Sequence, residues 1–332
     1  MDRYVKQARF LGRTQQESVI KGRVAIVGLG ATGSIIADWL TRAGVGFLRL
    51  IDRDIVEVSN LQRQCLYDER DLDQAKATCA LNKLKAINAS VKIDAISIDL
   101  LSSNALELLG DVDLIIDGTD NFETRFLIND VAIRHHIPWI YTGAIGAEGI
   151  CWPIKMPQTG CLRCLVEDLP EYGDIDTCDS AGVLGPAVGV IASWAAVEAI
   201  KILVNEKSAD EIIRFDLWSN HRQFVQAPTS RCRFCTNGIT EFLDDRWALK
   251  ASPLCGTLGV QLRVNPTRDL DLAHLRGILE RQDGTQWKET PRFIQGRTQT
   301  AEITLFKDGR ALFRGDISPE QAKRWYVELL GA

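Results

Sequence analysis

The fold is decided by one stretch, Val24-Ala25-Ile26-Val27-Gly28-Leu29-Gly30-Ala31-Thr32-Gly33. Its leading apolar residues are typical of a buried parallel strand. The three glycines have the spacing of a turn that brings the backbone N–H groups of a helix N-terminus close to phosphate. A second apolar strand ends at Asp52, 19 residues after Gly33, where a carboxylate can bind a ribose hydroxyl. The pattern predicts a nucleotide site without distinguishing NAD from ATP; a tight turn without a ligand is the alternative.

Strands and helices alternate along the following residues. We predict strands over 24–27, 48–51, 91–98, 112–116, 138–141, 211–216 and 221–226, and helices over 34–43, 72–87, 122–135 and 186–204. Prolines and glycines predict a long loop from 151 to about 177. This alternation predicts an α/β fold with a doubly wound, mostly parallel, Rossmann-like sheet that binds ligands at the carboxyl ends of its strands.

The pattern changes after Gly238. Strands are expected over 260–264, 300–306 and 311–314 and a helix over 271–279, with Asp308-Gly309 as a hairpin signal. Ser318-Pro319-Glu320-Gln321 is typical of a helix N-terminus. We therefore predict two domains, a nucleotide-binding domain over 1–240 and a small C-terminal α/β domain over 255–332.

The composition is typical of a globular protein, with 45% hydrophobic and 25% charged residues in 332. The net charge of −5 argues against binding to nucleic acid or to an anionic membrane. The opening residues, 1–6, are polar and do not resemble a secretory signal. The longest apolar run, 186–204, contains Glu198 and Lys201, which favours a buried helix, suited to a subunit interface, over a membrane span. We expect a cytoplasmic protein.

Residues after Asp52 favour ATP over a nicotinamide cofactor. Ser59-Asn60-Leu61-Gln62-Arg63-Gln64 supplies an arginine and neutral polar groups, and Lys76 follows. Attack on the α-phosphorus of ATP concentrates charge on phosphate oxygens, which preorganised cations stabilise. Asp120 follows a predicted strand end and is suited to bind Mg²⁺. A hydride-transfer site needs little positive charge at the reacting centre.

Each of these residues also has a structural interpretation. Arg63 is compatible with a solvated surface arginine, and Lys76 with a lysine on a helix face. Asp120 and Asn121 are compatible with an Asx-turn that starts the next helix. We expect Asp117 to organise this loop rather than to bind metal.

Four of the nine cysteines form two Cys-x-x-Cys pairs. They are Cys161 with Cys164 and Cys232 with Cys235. In a cytosolic protein this spacing predicts a closed, structural Cys₄ zinc site, and four buried cysteines without metal are the alternative. We expect the remaining cysteines other than Cys178, at positions 65, 79, 151 and 255, to be packing residues.

Together, these motifs resemble the ThiF/MoeB family, relatives of the ubiquitin-activating enzymes. The resemblance covers about residues 1–240 and rests on Arg3-Tyr4-x-x-Gln7, the glycine turn, Asp52-x-Asp54, the 59–64 segment, Lys76, Thr119-Asp120-Asn121 and the cysteine pairs. It implies a homodimer that uses Mg·ATP to adenylate the C-terminal glycine of a ubiquitin-like sulfur carrier, such as ThiS or MoaD. The implied nucleotide-binding residues are Gly28, Gly30, Ala31, Gly33, Asp52, Asp54, Asn60, Arg63, Gln64, Lys76, Asp120 and Asn121.

The resemblance also implies later steps and a pathway. Cys178 matches the cysteine used, or proposed, for covalent capture of the activated carrier, although Asp176 and Asp179 would make it a weaker nucleophile. Sulfur would come from a cysteine desulfurase or another donor. The segment 305–311 and the helix after it resemble the C-terminal extension of some bacterial ThiF proteins, which favours thiamine biosynthesis.

Two positions depart from the family pattern. Lys6 replaces the arginine that relatives extend into the neighbouring subunit's ATP site, which keeps the charge but loses the bidentate guanidinium; nearby Arg9 is a possible substitute. Ala31 replaces a glycine, which is tolerable if its φ is negative.

Three alternatives remain open. The same chemistry could act on MoaD or on another carrier or peptide. A NAD-dependent oxidoreductase would share only the glycine turn and Asp52. A degenerate scaffold that binds the carrier without activating it is supported only by Lys6.

Overall fold

A computed structural model describes residues 2–167, 181–228, 231–244, 252–253, 259–262, 270–283, 287–298, 301–319, 321–322 and 325–326. The chain divides into two compact units, Met1–Arg246 and Trp247–Ala332. Each unit has its own hydrophobic core.

The first unit alternates helices and strands along most of its length. Its strands are β1 (Arg23–Val27), β2 (Phe47–Ile51), β3 (Lys92–Ile96), β4 (Leu114–Asp117), β5 (Trp139–Ile145), β6 (Glu148–Ile154), β7 (Glu211–Asp216) and β8 (His221–Gln226). Its helices are α1 (Val5–Leu11), α2 (Arg13–Lys21), α3 (Ala31–Ala43), α4 (Lys76–Ile87), α5 (Ser102–Leu109), α6 (Phe122–His135), α7 (Gly185–Leu203) and α8 (Arg233–Asn237).

These strands form one sheet in the order β3-β2-β1-β4-β5-β6-β7-β8. Neighbours from β3 to β5 are parallel, and those from β5 to β8 are antiparallel. From β1 the chain adds β2 and β3 on one side, and then returns to add β4 and the later strands on the other side. The strand order therefore reverses between β1 and β4, which is where doubly wound sheets bind ligands. The predicted fold class is confirmed.

The turn after β1 requires glycine for steric reasons. Gly28 has φ of +85°, and a Cβ there would lie 2.6 Å from the carbonyl oxygen of Gly118. A Cβ on Gly33 would lie 1.9 Å from the Gly28 carbonyl oxygen. Ala31 is not among the residues with positive φ, so its methyl group is accommodated as expected.

Several predicted boundaries were wrong, and two of the differences have a clear physical reason. The helix predicted over 72–87 begins at Lys76, because a 3-10 turn at Glu69–Asp71 and a positive φ of 62° at Asp73 precede it. Residues 151–154, predicted as loop, belong to β6. Pro153 is tolerated there because β7 pairs with β6 only as far as Cys151.

Helix α7 is long and apolar enough to cross a membrane by length and composition alone. In the structure it packs against α3, β5 and β6. Its buried Glu198 accepts hydrogen bonds from Lys201 Nζ at 2.8 Å and from the backbone N–H of Ala209 at 2.8 Å. These contacts are those of a packed helix, as the sequence predicted.

The second unit contains an antiparallel sheet in the order β11-β12-β13-β14-β10-β9. Its strands are β9 (Ser252–Pro253), β10 (Gly259–Leu262), β11 (Lys288–Glu289), β12 (Phe293–Arg297), β13 (Ala301–Phe306) and β14 (Ala311–Gly315), and its helix α9 spans Leu272–Asp283. The predicted hairpin joins β13 to β14. Ser318 and Gln321 exchange the two hydrogen bonds of a capping box.

A buried carboxylate ties the end of the first unit to α6. Asp130 has no exposed surface, and its Oδ2 accepts the backbone N–H groups of Phe242 at 2.8 Å and Leu243 at 3.3 Å. Burial raises the pKa of Asp130 to about 7, although these two N–H groups act to lower it. The folded state therefore holds this proton more tightly than the unfolded chain does, where the pKa is about 3.9.

We expect Asp130→Asn to remove a pH-dependent cost of folding. The contribution of Asp130 to stability is complete below pH ~4 and is lost as the pH rises through about 7. The variant keeps an acceptor for both N–H groups, so its stability relative to the wild type should increase by up to about 1.4 kcal/mol per pH unit within that window. Urea unfolding at pH 5, 6, 7 and 8 measures this, with Glu107→Gln on the exposed face of α5 as control. If the difference in unfolding free energy between Asp130→Asn and the wild type were the same at all four pH values, the expectation would be contradicted.

Candidate functional site

The glycine turn presents backbone N–H groups at the N-terminus of α3. Gly30 has φ of −72°, and the nearest atoms to a Cβ there would be Gln64 Nε2 at 3.8 Å and the Gly118 carbonyl oxygen at 4.0 Å. Unlike at Gly28 and Gly33, a side chain at position 30 would therefore not clash with the described residues. The open space beside it suits a phosphate group, as the sequence predicted.

Two carboxylates follow β2 at the same edge of the sheet. Asp52 is buried, and its carboxylate accepts the N–H groups of Leu29 at 2.6 Å and Asp54 at 2.7 Å. Burial raises the pKa of Asp52, although Lys76 acts to lower it. Asp52 thus fixes the glycine turn, in addition to any contact with a ribose.

Lys76 is the first residue of α4, and its side chain is 7% exposed. Its Nζ lies 3.4 Å from Asp54 Oδ2. Burial acts to lower the pKa of Lys76, but Asp54, Asp52 and Asp120 outweigh it, so the pKa is raised. A fixed positive charge therefore lies at the sheet edge, close to the glycine turn.

The sequence analysis missed Arg53, which lies between the two carboxylates. Its Nη1 donates to both oxygens of Asp99 at 3.2 and 3.3 Å, and its Nε lies 3.7 Å from Asp54 Oδ1. Burial acts to lower the pKa of Arg53, but the surrounding carboxylates, Asp120 included, raise it. The sequence Asp52-Arg53-Asp54 shows an arginine between two carboxylates. The direction of its side chain, however, depends on Asp99, whose position is known only from the fold.

The 59–64 segment packs beside the turn. Asn60 Oδ1 accepts the N–H of Glu57 at 3.2 Å, and Arg63 Nη1 donates to the carbonyl oxygen of Ser59 at 2.8 Å. Gln64 is 4% exposed, and its Oε1 is buried without a hydrogen-bond partner among the described residues. The Nε2 of the same side chain would lie 3.8 Å from a Cβ on Gly30, so Gln64 lines the open space beside the turn.

The loop after β4 is held by a buried ion pair. Asp117 Oδ1 accepts the N–H of Thr119 at 2.9 Å, and its Oδ2 accepts Arg125 Nε at 2.9 Å. Arg125, which the sequence analysis did not select, also donates to the carbonyl oxygens of Thr119 at 2.7 Å and Thr142 at 3.0 Å. As expected, Asp117 organises the loop. Asp120 at its tip is exposed and could bind a metal ion.

Asn121 begins the next helix. Its Oδ1 accepts the N–H of Thr124 at 2.9 Å, the contact of an N-cap. This capping accounts for Asn121 without a nucleotide, and its binding role stays a prediction.

Lys6 lies far from this site within its own chain. Its neighbour Gln7 donates to the carbonyl oxygen of Ala43 at 3.0 Å, and Arg3 donates to that of Ile87 at 2.8 Å. These are the ends of α3 and α4 opposite the glycine turn and Lys76, and helices of 13 and 12 residues are about 18–20 Å long. Lys6 is exposed and cannot reach the nucleotide site of its own chain.

The two cysteine pairs converge on one cluster. The Sγ atoms lie 3.8 Å apart within each pair, and 3.6 and 3.7 Å apart between Cys161 and Cys232 and between Cys164 and Cys235. A tetrahedral zinc ion with Zn–S bonds of 2.3 Å requires separations of about 3.8 Å. The cluster could therefore hold a metal ion with little movement.

Side chains around the cluster lock the two pairs together. The guanidinium carbon of Arg163 lies 3.2 Å from the centre of the Phe234 ring, and its Nη1 donates to Glu241 at 3.0 Å. Asn129 on α6 accepts the N–H of Leu162 at 2.9 Å. Each Cys-x-x-Cys turn is thus fixed by contacts outside the sulfur atoms.

The other predicted cysteines differ in environment. Cys79 and Cys151 are buried, as expected for packing residues. Cys65 is exposed, so the prediction was wrong for it. Cys178 and Cys255 lie outside the described residues.

Comparison with known proteins identifies the family. Residues 2–236 match the model of the ThiF family. The chain is 38% identical over 336 residues to the sulfur carrier protein ThiS adenylyltransferase of Bacillus subtilis (strain 168), with 99% of each chain covered. A sulfur carrier protein adenylyltransferase of Thermus thermophilus is 34% identical over 251 residues, covering 73% of this chain and 93% of the relative.

Solved structures agree in fold. The structure of E. coli MccB with ATP is 20% identical, with a TM-score of 0.62 over 69% of this chain and 73% of that one. The family resemblance inferred from the motifs is confirmed. The chain belongs to the ThiF family, a family of ATP-using adenylyltransferases.

Proposed function

We propose that this protein adenylates the C-terminal glycine of a ubiquitin-like sulfur carrier of the ThiS type, activating it for thiocarboxylate formation in thiamine thiazole biosynthesis. One observation supports the proposal above all. The open glycine turn at Gly30, the buried Lys76 with its neighbouring carboxylates, and the exposed Asp120 all lie at the edge of the sheet where the strand order reverses between β1 and β4.

In this proposal the carrier carboxylate attacks the α-phosphorus of ATP and pyrophosphate leaves. The carboxylate is already ionised at neutral pH, so no general base is required. The chain contributes alignment and charge: Arg63 and Lys76 hold phosphate oxygens, Asn60 and Gln64 orient the nucleotide, and Asp52 binds the ribose. Mg²⁺ held by Asp120 would neutralise phosphate charge.

The carrier is inferred from the extent of the match. The Bacillus ThiS adenylyltransferase aligns over 99% of this chain, which includes the second unit, whereas the Thermus relative aligns over 73%. A second unit shared with the ThiS enzyme favours a ThiS-type carrier over a MoaD-type one. We further propose a cytoplasmic location and a separate sulfur donor such as a cysteine desulfurase; covalent capture by Cys178 stays a prediction.

We also propose a homodimer. A groove of about 1110 Å³ runs between α3 and α7, lined by Trp39, Trp194, Val190 and Val197. Trp39 is 47% exposed and Val197 50% exposed, which is unusual for large apolar side chains clustered on one face. A second copy would cover this face, and it would allow Lys6 to act in the nucleotide site of its partner.

The reaction is tested by ATP–pyrophosphate exchange with Mg²⁺, comparing ThiS, MoaD and no carrier. We expect exchange with ThiS. Lys76→Ala should lower the rate about 10²–10³-fold, because a preorganised cation is lost. Lys85→Ala, on the same helix with its Nζ on the carbonyl oxygen of Val91, should leave it within about twofold.

Exchange with MoaD alone would contradict the assignment to thiamine biosynthesis and assign the protein to another pathway. Equal activity of Lys76→Ala and the wild type would contradict the assigned charge stabilisation. Carrier binding without exchange would support the scaffold alternative.

The dimer is tested by light scattering at micromolar concentration. Val197→Asp places a charge on the apolar face of α7 and should convert the dimer to a monomer. Leu106→Asp on α5, where Leu106 is 39% exposed, should remain dimeric. A monomeric wild type, or a dimeric Val197→Asp variant, would show that this face is not the interface.

Zinc is tested by metal analysis of the purified protein. The wild type should contain about one zinc ion per chain, and Cys232→Ser with Cys235→Ser should lose it and melt at a lower temperature, because structural zinc contributes to folding. The exposed Cys65→Ser should keep its zinc. Unchanged metal content in the double variant would rule out this site.

A further inference from the structure

One buried hydroxyl group lies against the glycine turn and has no part in the proposed reaction. Tyr67 Oη donates to the carbonyl oxygen of Leu29 at 3.0 Å, and Tyr67 is 6% exposed. The backbone N–H of Tyr67 donates to the carbonyl oxygen of Gln64 at 3.1 Å. Tyr67 therefore links the segment that carries Arg63 and Gln64 to the turn at Gly30.

Leu29 is held on both sides. Its N–H donates to Asp52 at 2.6 Å, and its carbonyl oxygen accepts from Tyr67. The peptide bond from Leu29 to Gly30 is trans, so its C=O and N–H point in opposite directions. Because the C=O points to Tyr67, the Gly30 N–H points away from it.

The space beside Gly30 is open. Across the described part of the chain, no hydrogen-bond acceptor contacts the Gly30 N–H. A Cβ on Gly30 would meet no atom closer than 3.8 Å. A backbone N–H without an acceptor among the described residues, beside open space at the start of a 13-residue helix, is suited to an anionic oxygen.

We propose that Tyr67 is a positioning residue for the nucleotide, whose hydroxyl holds the Leu29–Gly30 peptide in the orientation that presents the Gly30 N–H to a phosphate oxygen of ATP. The inference rests on the proposed function. Burial, with a contribution from Asp52, raises the pKa of Tyr67 well above its usual value, so the hydroxyl remains a donor throughout the pH range of enzyme assays.

The ring and the hydroxyl of Tyr67 have separable roles. The ring is part of the core that includes Leu29, Ile36 and Leu66, and phenylalanine would fill the same space. Among the described residues, the hydroxyl makes a hydrogen bond only to the turn carbonyl. Tyr67→Phe therefore removes the orienting contact and keeps the packing.

The test compares the binding of ATP and of adenosine by calorimetry with Mg²⁺ present. Tyr67→Phe should raise the Kd for ATP about fivefold to tenfold, the effect of one buried hydrogen bond. The Kd for adenosine, which has no phosphate, should change less than about twofold. Unchanged adenosine binding also shows that the variant is folded.

Tyr326→Phe is the matched control. Tyr326 is buried in the second unit, and its hydroxyl donates to the carbonyl oxygen of Gly309. This variant loses the same kind of bond and should bind ATP as the wild type does. ATP affinity in Tyr67→Phe equal to that of the wild type, or an equal loss for ATP and adenosine, would overturn the inference and leave the proposed function intact. A wild type that binds no ATP would overturn both.

Discussion

The nucleotide site depends on the close approach of two backbone turns, at Gly28 and Gly118. A Cβ on Gly118 would lie 2.5 Å from the Gly28 carbonyl oxygen, so no side chain can separate the turns. This approach follows from the pairing of β1 with β4, which sets Val27 beside Asp117. The N-terminus of α3 and the loop that carries Asp120 are therefore neighbours, although about 90 residues separate them in the chain.

Ion pairs hold the charged groups of the site in place. Lys76 is fixed by Asp54, Arg53 by Asp99 and Arg125 by Asp117, at distances of 2.9 to 3.4 Å. Charges that are already oriented need little reorganisation when the phosphates of a substrate develop charge, and this is the main source of electrostatic catalysis. The same pairing makes each cation part of the local fold, because it ties the loop that carries the cation to a carboxylate.

The sequence predicted the features of the fold and of the site that depend on local patterns. The period of apolar residues gave the order of the strands along the chain, and the helix over Phe122–His135 was predicted with its observed bounds. The cysteine spacing predicted the cluster. Arg53 and Arg125 were missed, because their roles depend on Asp99 and Thr142, which the fold brings close from distant positions. Similarly, β6 was missed because it contains Pro153. This proline is tolerated only because β7 pairs with β6 no further than Cys151.

The transfer of AMP to a carrier can be observed on the carrier itself. It is measured by intact-mass spectrometry of a ThiS-type carrier after incubation with the protein and Mg·ATP without a sulfur donor. We expect a carrier heavier by one adenylate group, located at the C-terminal glycine, and no adduct on a carrier that lacks this glycine. An unmodified carrier in the presence of protein that binds ATP, or an adduct elsewhere on the carrier, would contradict it.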